Sequence, residues 1–177
     1  MAMTGEGQRK KAIWLDHWQD EADAAFLYRR LSTAELNPEK RDLYLKLADV
    51  EDRHTGLWEQ VLAEHGIPVS PRRPSLRARL LAWFGVRFKP KSLLTLLWRE
   101  EGQEVRGYLS LYRQSESGLA AETALRLAGE SAEHADALSQ MADLKGEPWH
   151  RIESGGLLRN VVYGFNDGLT ANFTLDW

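Results

Sequence analysis

The sequence predicts an all-α fold, a bundle of four long helices. Apolar residues recur at spacings of three, four and seven over most of the chain, which is the periodicity of a helix with one buried face. No stretch shows the strict apolar–polar alternation of a half-buried strand. Two segments 80 residues apart also resemble each other, which indicates that one helix pair is followed by a second.

The first helix is expected from about Trp14 to Glu35, because Trp14, Trp18, Ala25 and Tyr28 share one helical face. The next helix has a clear beginning. An asparagine precedes Pro38, and asparagine at the N-cap followed by proline at the first helical position is a common start signal. This second helix is expected to run to about His65.

A long crossover segment, about residues 66–90, follows the second helix. It opens with glycine and three prolines, "GIPVSPRRP", and contains a short amphipathic stretch, "SLRARLLAWFGVRF". The third long helix is predicted from about Lys91 to Ser115 and the fourth from about Leu119 to Lys145, where "GEPW" stops it. A crossover of this length lets the second helix pair pack beside the first in one bundle.

A weak internal repeat supports this architecture. Shifting the sequence by 80 residues places "LKLADVEDRH" on "LRLAGESAEH" and aligns His54 with His134. It also aligns Glu21 with Glu101 and Tyr28 with Tyr108. Chance is the competing explanation, since helices commonly share leucine, alanine and glutamate.

Composition excludes several classes of function. The chain of 177 residues has no cysteine, which rules out disulfides, thiolate zinc sites, iron–sulfur clusters and cysteine nucleophiles. Its formal net charge of -3 gives no indication of a nucleic-acid partner. Any metal must therefore be held by carboxylates and imidazoles, which suit iron, manganese or zinc.

Carboxylates and histidines fall on the apolar face of all four long helices. Buried carboxylates are costly unless they are paired or bind a metal, and two divalent cations would neutralise a converging set. Glutamate from two helices, with a Glu-x-x-His pair from each of the other two, is the arrangement of ferritin-like di-metal sites. The candidate metal ligands are Glu21, Glu51, His54, Glu101, Glu104, Glu130 and His134.

The segments "DEADAAFLYRRL" and "LADVEDRHTGLWEQVL" resemble the ferritin-like domain of rubrerythrin relatives. More specifically, the chain is similar to the erythrin-type domain fused to membrane transporters of the vacuolar iron transporter family. The resemblance implies a di-iron site formed by the seven candidate ligands. Glu51 and either Glu101 or Glu130 would bridge the two ions.

The fourth long helix departs from the family pattern. Ser131, not glutamate, stands three residues before His134, and Glu130 stands four before it, which still shares the face. We expect the second metal position to be altered or weaker. Glu104 is also consistent with a carboxylate at the bundle boundary. His17, one turn before Glu21, could reach the site, but a capping or surface position is the simpler interpretation.

The closing stretch "LLRNVVYGFNDGLTANFTL" looks like the start of the first membrane helix of those transporters, and Asp167 matches an aspartate on their ion path. The 17 residues after Asn160 fall short of the roughly 20 apolar residues that a membrane-spanning helix needs. We therefore expect residues 1–150 to form the ferritin-like domain and residues 151–177 a linker and the truncated start of a transporter domain. The chain itself is expected to be soluble, and the domain to lie at the cytoplasmic, inner face of a membrane.

A basic segment precedes the third long helix. No acidic residue occurs from His65 to Arg99, and seven basic residues lie between these two: Arg72, Arg73, Arg77, Arg79, Arg87, Lys89 and Lys91. Two interpretations of residues 72–91 remain open. The segment either only covers the bundle, or its basic and aromatic residues rest on an anionic membrane surface.

Taken together, the sequence predicts an iron-binding ferritin-like domain, expected to form a homodimer and to serve a membrane iron or manganese transporter. Oxidation of ferrous iron with oxygen or peroxide is consistent with such a site. A non-enzymatic sensing domain and a purely dimerising bundle are the alternatives.

Overall fold

A computed structural model describes residues 5–88, 90–115 and 118–142. This part of the chain contains five α-helices and no strand, which confirms the all-α prediction. The helices are α1 (Gly5–Ala34), α2 (Pro38–Glu64), α3 (Leu76–Phe88), α4 (Pro90–Gln114) and α5 (Leu119–Ala142). The chain divides into two compact units, Met1–Leu94 and Thr95–Trp177.

In the first unit, α1 and α2 form an antiparallel pair joined by a three-residue connection. Trp18 Nε1 donates to Glu59 Oε1 at 3.2 Å, and further along α1 the Arg29 guanidinium is 3.3 Å from Asp49. Residue numbers thus rise on one helix as they fall on the other. The pair buries an apolar seam that includes Leu27, Tyr28 and Trp58.

The predicted start of α2 is confirmed. Asn37 has an extended backbone, and its Oδ1 accepts a hydrogen bond from the Lys40 amide at 3.0 Å. Pro38 occupies the first turn, where backbone N–H groups have no acceptor within the helix. The N–H that proline lacks therefore costs no helical hydrogen bond. This capping fixes where the second helix of the pair begins.

Helix α1 begins nine residues earlier than the apolar periodicity predicts. Its first turns, "GEGQRKKAI", are almost entirely polar and so carry no periodic signal. A 2.9 Å ion pair between Lys10 and Glu6, one turn apart, supports this polar extension.

The short amphipathic stretch of the crossover is helix α3, and it packs on α1. Ser75 is its N-cap, since Ser75 Oγ accepts from the Ala78 amide at 3.1 Å. The Asp23 carboxylate on α1 in turn accepts from the Ser75 amide at 2.7 Å and from the Ser75 hydroxyl. One buried aspartate thereby attaches the start of α3 to α1.

In the second unit, the long part of α4 and helix α5 are antiparallel neighbours. Glu101 approaches His134, and one turn later Glu104 approaches Ser131. Their buried face includes Val105, Tyr108 and Leu127. The predicted extension of the last helix to Lys145, the tail with Asp167, and Lys89 lie outside the described residues.

Candidate metal centre

Three predicted ligands meet between α1 and α2. His54 Nδ1 lies 3.3 Å from Glu21 Oε2 and 3.1 Å from Glu51 Oε2. All three residues are fully buried, with 0% of their surface exposed. One ligand atom from each lies within 4.8 Å of the others, close enough to surround a single cation. We call Glu21, Glu51 and His54 the first cluster.

Helix geometry explains why these side chains converge. Glu51 and His54 are three residues apart on α2 and therefore share a face. Thr55 Oγ1 donates to the Glu51 backbone carbonyl at 2.8 Å, so its hydroxyl is satisfied within the helix. The Trp18–Glu59 hydrogen bond and the Arg29–Asp52 ion pair lie on either side of the first cluster and fix the register of the two helices.

Burial has an electrostatic consequence for the first cluster. It raises the pKa of Glu21 to about 8; the nearby His54 counteracts this rise, whereas Glu51 adds to it. Without a cation, the Glu21 carboxyl therefore retains a proton at neutral pH. A divalent cation would displace that proton, because it stabilises the carboxylate form.

His17 is placed differently from its simpler sequence interpretation. Its ring stacks on Trp58 with centroids 5.2 Å apart and planes 13° apart. Burial lowers the pKa of His17 to about 4, so the imidazole is neutral at physiological pH. Sequence spacing could not reveal this contact, because His17 and Trp58 lie on different helices.

Two further predicted ligands meet between α4 and α5. His134 Nδ1 lies 3.6 Å from Glu101 Oε1, and the two residues are 5% and 3% exposed. We call Glu101 and His134 the second cluster. It repeats the carboxylate–imidazole pairing of Glu21 and His54, as the 80-residue repeat predicts.

Position 131 distinguishes the two clusters. Ser131 is fully buried, and its hydroxyl donates to Glu104 Oε2 at 3.4 Å. Where the first cluster has the carboxylate of Glu51, the second helix pair therefore has a hydroxyl that contacts a carboxylate of the facing helix.

Glu130 has a different environment from the cluster residues. It forms a 2.7 Å ion pair with Arg126 one turn earlier, and its side chain is 19% exposed. Within the described part of the chain, neither Glu104 nor Glu130 belongs to a group whose ligand atoms all lie within 4.8 Å of one another.

The donor set fits a first-row transition metal. Carboxylate oxygens combined with imidazole nitrogen suit iron, manganese and zinc, whereas an all-oxygen site would favour magnesium or calcium. The first cluster is also shielded from solvent, since all three of its side chains are 0% exposed. Its three residues thus form a plausible site for one divalent ion.

Comparison with known proteins found no match to any family model, curated protein or solved structure. The resemblance to ferritin-like domains and to iron transporters therefore stays a prediction from the sequence. Among the described residues, no helix has both the length and the apolar character needed to cross a membrane.

Proposed function

We propose that this protein binds ferrous iron at its buried carboxylate–imidazole clusters. The observation that carries the proposal is the first cluster, in which Glu21, Glu51 and His54 are fully buried with ligand atoms within 4.8 Å of each other. Burying two carboxyl groups and an imidazole together without a cation costs folding free energy. A bound divalent ion supplies the missing positive charge.

We assign one iron ion to each cluster. Glu21, Glu51 and His54 would hold the first ion, and Glu101 and His134 the second. Glu104 and Glu130 remain predicted contributors to the second ion from the sequence. Because Ser131 stands where the first helix pair has Glu51, the second cluster should bind more weakly.

The protein's own residues would control protons and water at the first cluster. Glu21 would release its proton on metal binding, and its carboxylate would be one of the groups that hold the ion. Fully buried neighbours keep bulk water away. Iron supplies one-electron redox chemistry, and anionic carboxylates favour its ferric state over its ferrous state.

The proposed reaction is oxidation of ferrous iron. Each Fe²⁺ gives up one electron, and dioxygen or peroxide accepts the electrons together with protons. In a longer parent protein, this activity would place iron capture or oxidation beside a membrane transporter, at the cytoplasmic face. That context is supported by the sequence resemblance alone.

Metal titration tests binding. Metal-free protein is titrated anaerobically with Fe²⁺, and bound iron is measured after gel filtration. We expect two ions per chain, with one binding more tightly. Manganese and zinc, titrated in parallel, establish which metal binds most tightly. Failure to retain any of the three metals would overturn the proposal and would leave a dimerising helical domain.

Aerobic mixing tests oxidation. Stopped-flow absorbance after addition of Fe²⁺ should show ferric iron forming faster with protein than in buffer. A ferric signal no faster than the buffer control, with iron still bound, would assign the protein to metal sensing or regulation instead. Magnetic coupling between two bound ions in the electron paramagnetic resonance spectrum would test the sequence prediction of bridging carboxylates.

A further inference from the structure

Helix α3 has an unusual distribution of side-chain sizes between its two faces. The residues that face the protein are small: Ala78 and Ala82 are buried, and Gly85 lies against Leu93 at the start of α4. A Cβ atom built on Gly85 would lie 2.9 Å from the Leu93 Cβ, so the two helices are as close as glycine allows. The two buried side chains of α3 are therefore both alanines.

The large apolar side chains of α3 point outward. Five of the seven exposed large hydrophobic residues in the described part of the chain lie on this helix: Leu76, Leu80, Trp83, Phe84 and Phe88. Trp83, Phe84 and Phe88 are 60%, 59% and 59% exposed, and their rings contact one another with centroids 4.6 to 6.0 Å apart. We call these five residues the α3 patch. A contiguous exposed apolar surface of this kind marks an interaction site.

The charges beside the α3 patch are of one sign. Arg79 and Arg87 are exposed on the same helix, and Arg73 and Lys91 are exposed on either side of it. The Arg87 guanidinium lies 5.5 Å from the centre of the Phe88 ring. The sequence between His65 and Arg99 contains no acidic residue. Arg72 contributes less, because it forms a 2.7 Å ion pair with Glu59 on α2.

We propose that α3 docks on an anionic lipid surface, with the α3 patch inserted at the headgroup–acyl boundary. Tryptophan, phenylalanine and leucine on one face, accompanied by arginine and lysine, are the composition of helices that lie in the plane of a membrane interface. Long arginine side chains reach phosphate headgroups while their aliphatic parts stay among apolar groups. The inference does not depend on metal binding.

A second copy of the chain is a less suitable occupant. In a symmetric dimer built on α3, each patch would meet its own counterpart. Arg79 and Arg87 of one copy would then approach the same residues of the other with no acid on the segment to offset them. A lipid surface carries the complementary charge.

Vesicle co-sedimentation tests the proposal with the 177-residue chain. One set of vesicles contains phosphatidylcholine alone, and the other an equal mixture of phosphatidylcholine and phosphatidylglycerol. We expect binding to the anionic set only, weakening as salt is added. The double variant Arg79→Glu/Arg87→Glu should bind at least about tenfold more weakly, because each basic residue near such a surface contributes severalfold in affinity.

Two controls identify α3 as the contact. Arg30→Glu/Arg113→Glu makes the same charge change at exposed positions on α1 and α4, and should bind like the unmodified protein. Phe84→Ser should weaken binding, whereas Leu36→Ser, at a leucine that is 95% exposed outside α3, should not. Circular dichroism confirms that each variant is folded.

Tryptophan fluorescence provides an independent readout. Emission should shift to shorter wavelength when anionic vesicles are added, and Trp83→Phe should remove most of that shift. The proposal is overturned if the protein ignores anionic vesicles, or if the α3 variants bind them unchanged. It is also overturned if those variants alter only the sedimentation coefficient of the protein without lipid, which would assign the patch to self-association.

Discussion

Glu51 is the member of the first cluster that shares a face of α2 with His54. Its Oε2 lies 3.1 Å from His54 Nδ1, and its backbone carbonyl accepts the Thr55 hydroxyl. A glutamine at this position would keep the shape and the helix but lose the negative charge. The effect of the change on metal binding therefore reports on ligation and not on folding.

We expect Glu51→Gln to weaken metal binding at the first cluster by more than the roughly 10- to 100-fold typical of losing a residue that only supports a ligand. Bound iron should fall from two ions per chain to one. The measurement is anaerobic titration followed by metal analysis. Glu39→Gln, an isosteric change at an exposed position in the first turn of α2, should still load two ions. A Glu51→Gln protein that also loads two would show that Glu51 is not a ligand.

Two groups on α1 with strongly shifted pKa values predict a pH dependence for the metal-free protein. Glu21 has its folded-state pKa raised to about 8, so the folded state binds a proton that the unfolded state has lost. Its contribution to stability is complete at low pH and decreases as pH rises towards 8. His17 has its pKa lowered to about 4, so its contribution is recovered as pH rises from 4 to its ordinary value.

Of these two effects, only that of Glu21 acts between about pH 6.5 and 8, because His17 is neutral in both states there. We expect the unfolding free energy without metal to fall over this window by at most about 1.4 kcal/mol per pH unit. Urea titrations at several pH values measure it, and Glu21→Gln should flatten the curve. A metal-free protein whose stability rises over the same window would contradict the assignment.

At the scale of helices, the sequence predicts that each helix exists better than it predicts which of its side chains are buried. Asn37 and Pro38 located the start of α2, because capping is a local signal. The start of α1 was missed, because its first turns have no apolar stripe to detect. The orientation of α3 was not predicted, since its larger side chains face outward and reverse the usual rule.

For the candidate site too, the sequence predicts which residues share a helix face but not every contact that their side chains make. The repeat placed Glu21 with His54 and Glu101 with His134, because helical periodicity fixes which residues share a face. The Arg126 partner of Glu130 and the Ser131–Glu104 contact depend on side-chain conformations that periodicity does not determine. The roles of Glu104 and Glu130 therefore stay predictions.

The close approach of α3 to α4 gives an element-scale prediction. In Gly85→Ala, the added methyl group would lie 2.8 Å from Leu93 Cδ2 and 2.9 Å from Leu93 Cβ, so the helices must separate. We expect a loss of about 1–3 kcal/mol in unfolding free energy, the usual cost of overpacking. Gly5→Ala, with nothing within 4 Å of the new methyl group, is the matched control and should lose no stability in the same urea titration. Equal stabilities would show that the junction is loosely packed.

For the whole molecule, iron binding should raise thermal stability. A ligand present at 100 times its dissociation constant stabilises a folded protein by about 2.7 kcal/mol, which corresponds to roughly 5–10 °C for a chain of this size. Differential scanning fluorimetry under argon measures the shift with Fe²⁺, and Mg²⁺ serves as the control because it prefers oxygen-only sites. An equal shift with both ions would indicate nonspecific binding to surface acids.

The expected homodimer is a second prediction for the whole molecule. Sedimentation velocity should give a mass of twice the 20.2 kDa of the chain. The Arg79→Glu/Arg87→Glu variant should leave that mass unchanged, because we assign the α3 patch to lipid and not to a second copy. A monomeric protein would remove dimerisation from the proposed function.

The attachment of α3 to α1 also sets a limit on fragment design. Asp23 is 6% exposed, and its carboxylate accepts from the Gln19 side chain at 2.9 Å and from Ser75 at both its amide and its hydroxyl. A minimal metal-binding peptide cut after α2 would keep Glu21, Glu51 and His54 but would strip Asp23 of its two donors from Ser75. The Asp23 carboxylate, two residues from Glu21 on the same helix, would then have to be hydrated, or Asp23 would have to be replaced by asparagine. The smallest transplantable form of the first cluster therefore ends after α3.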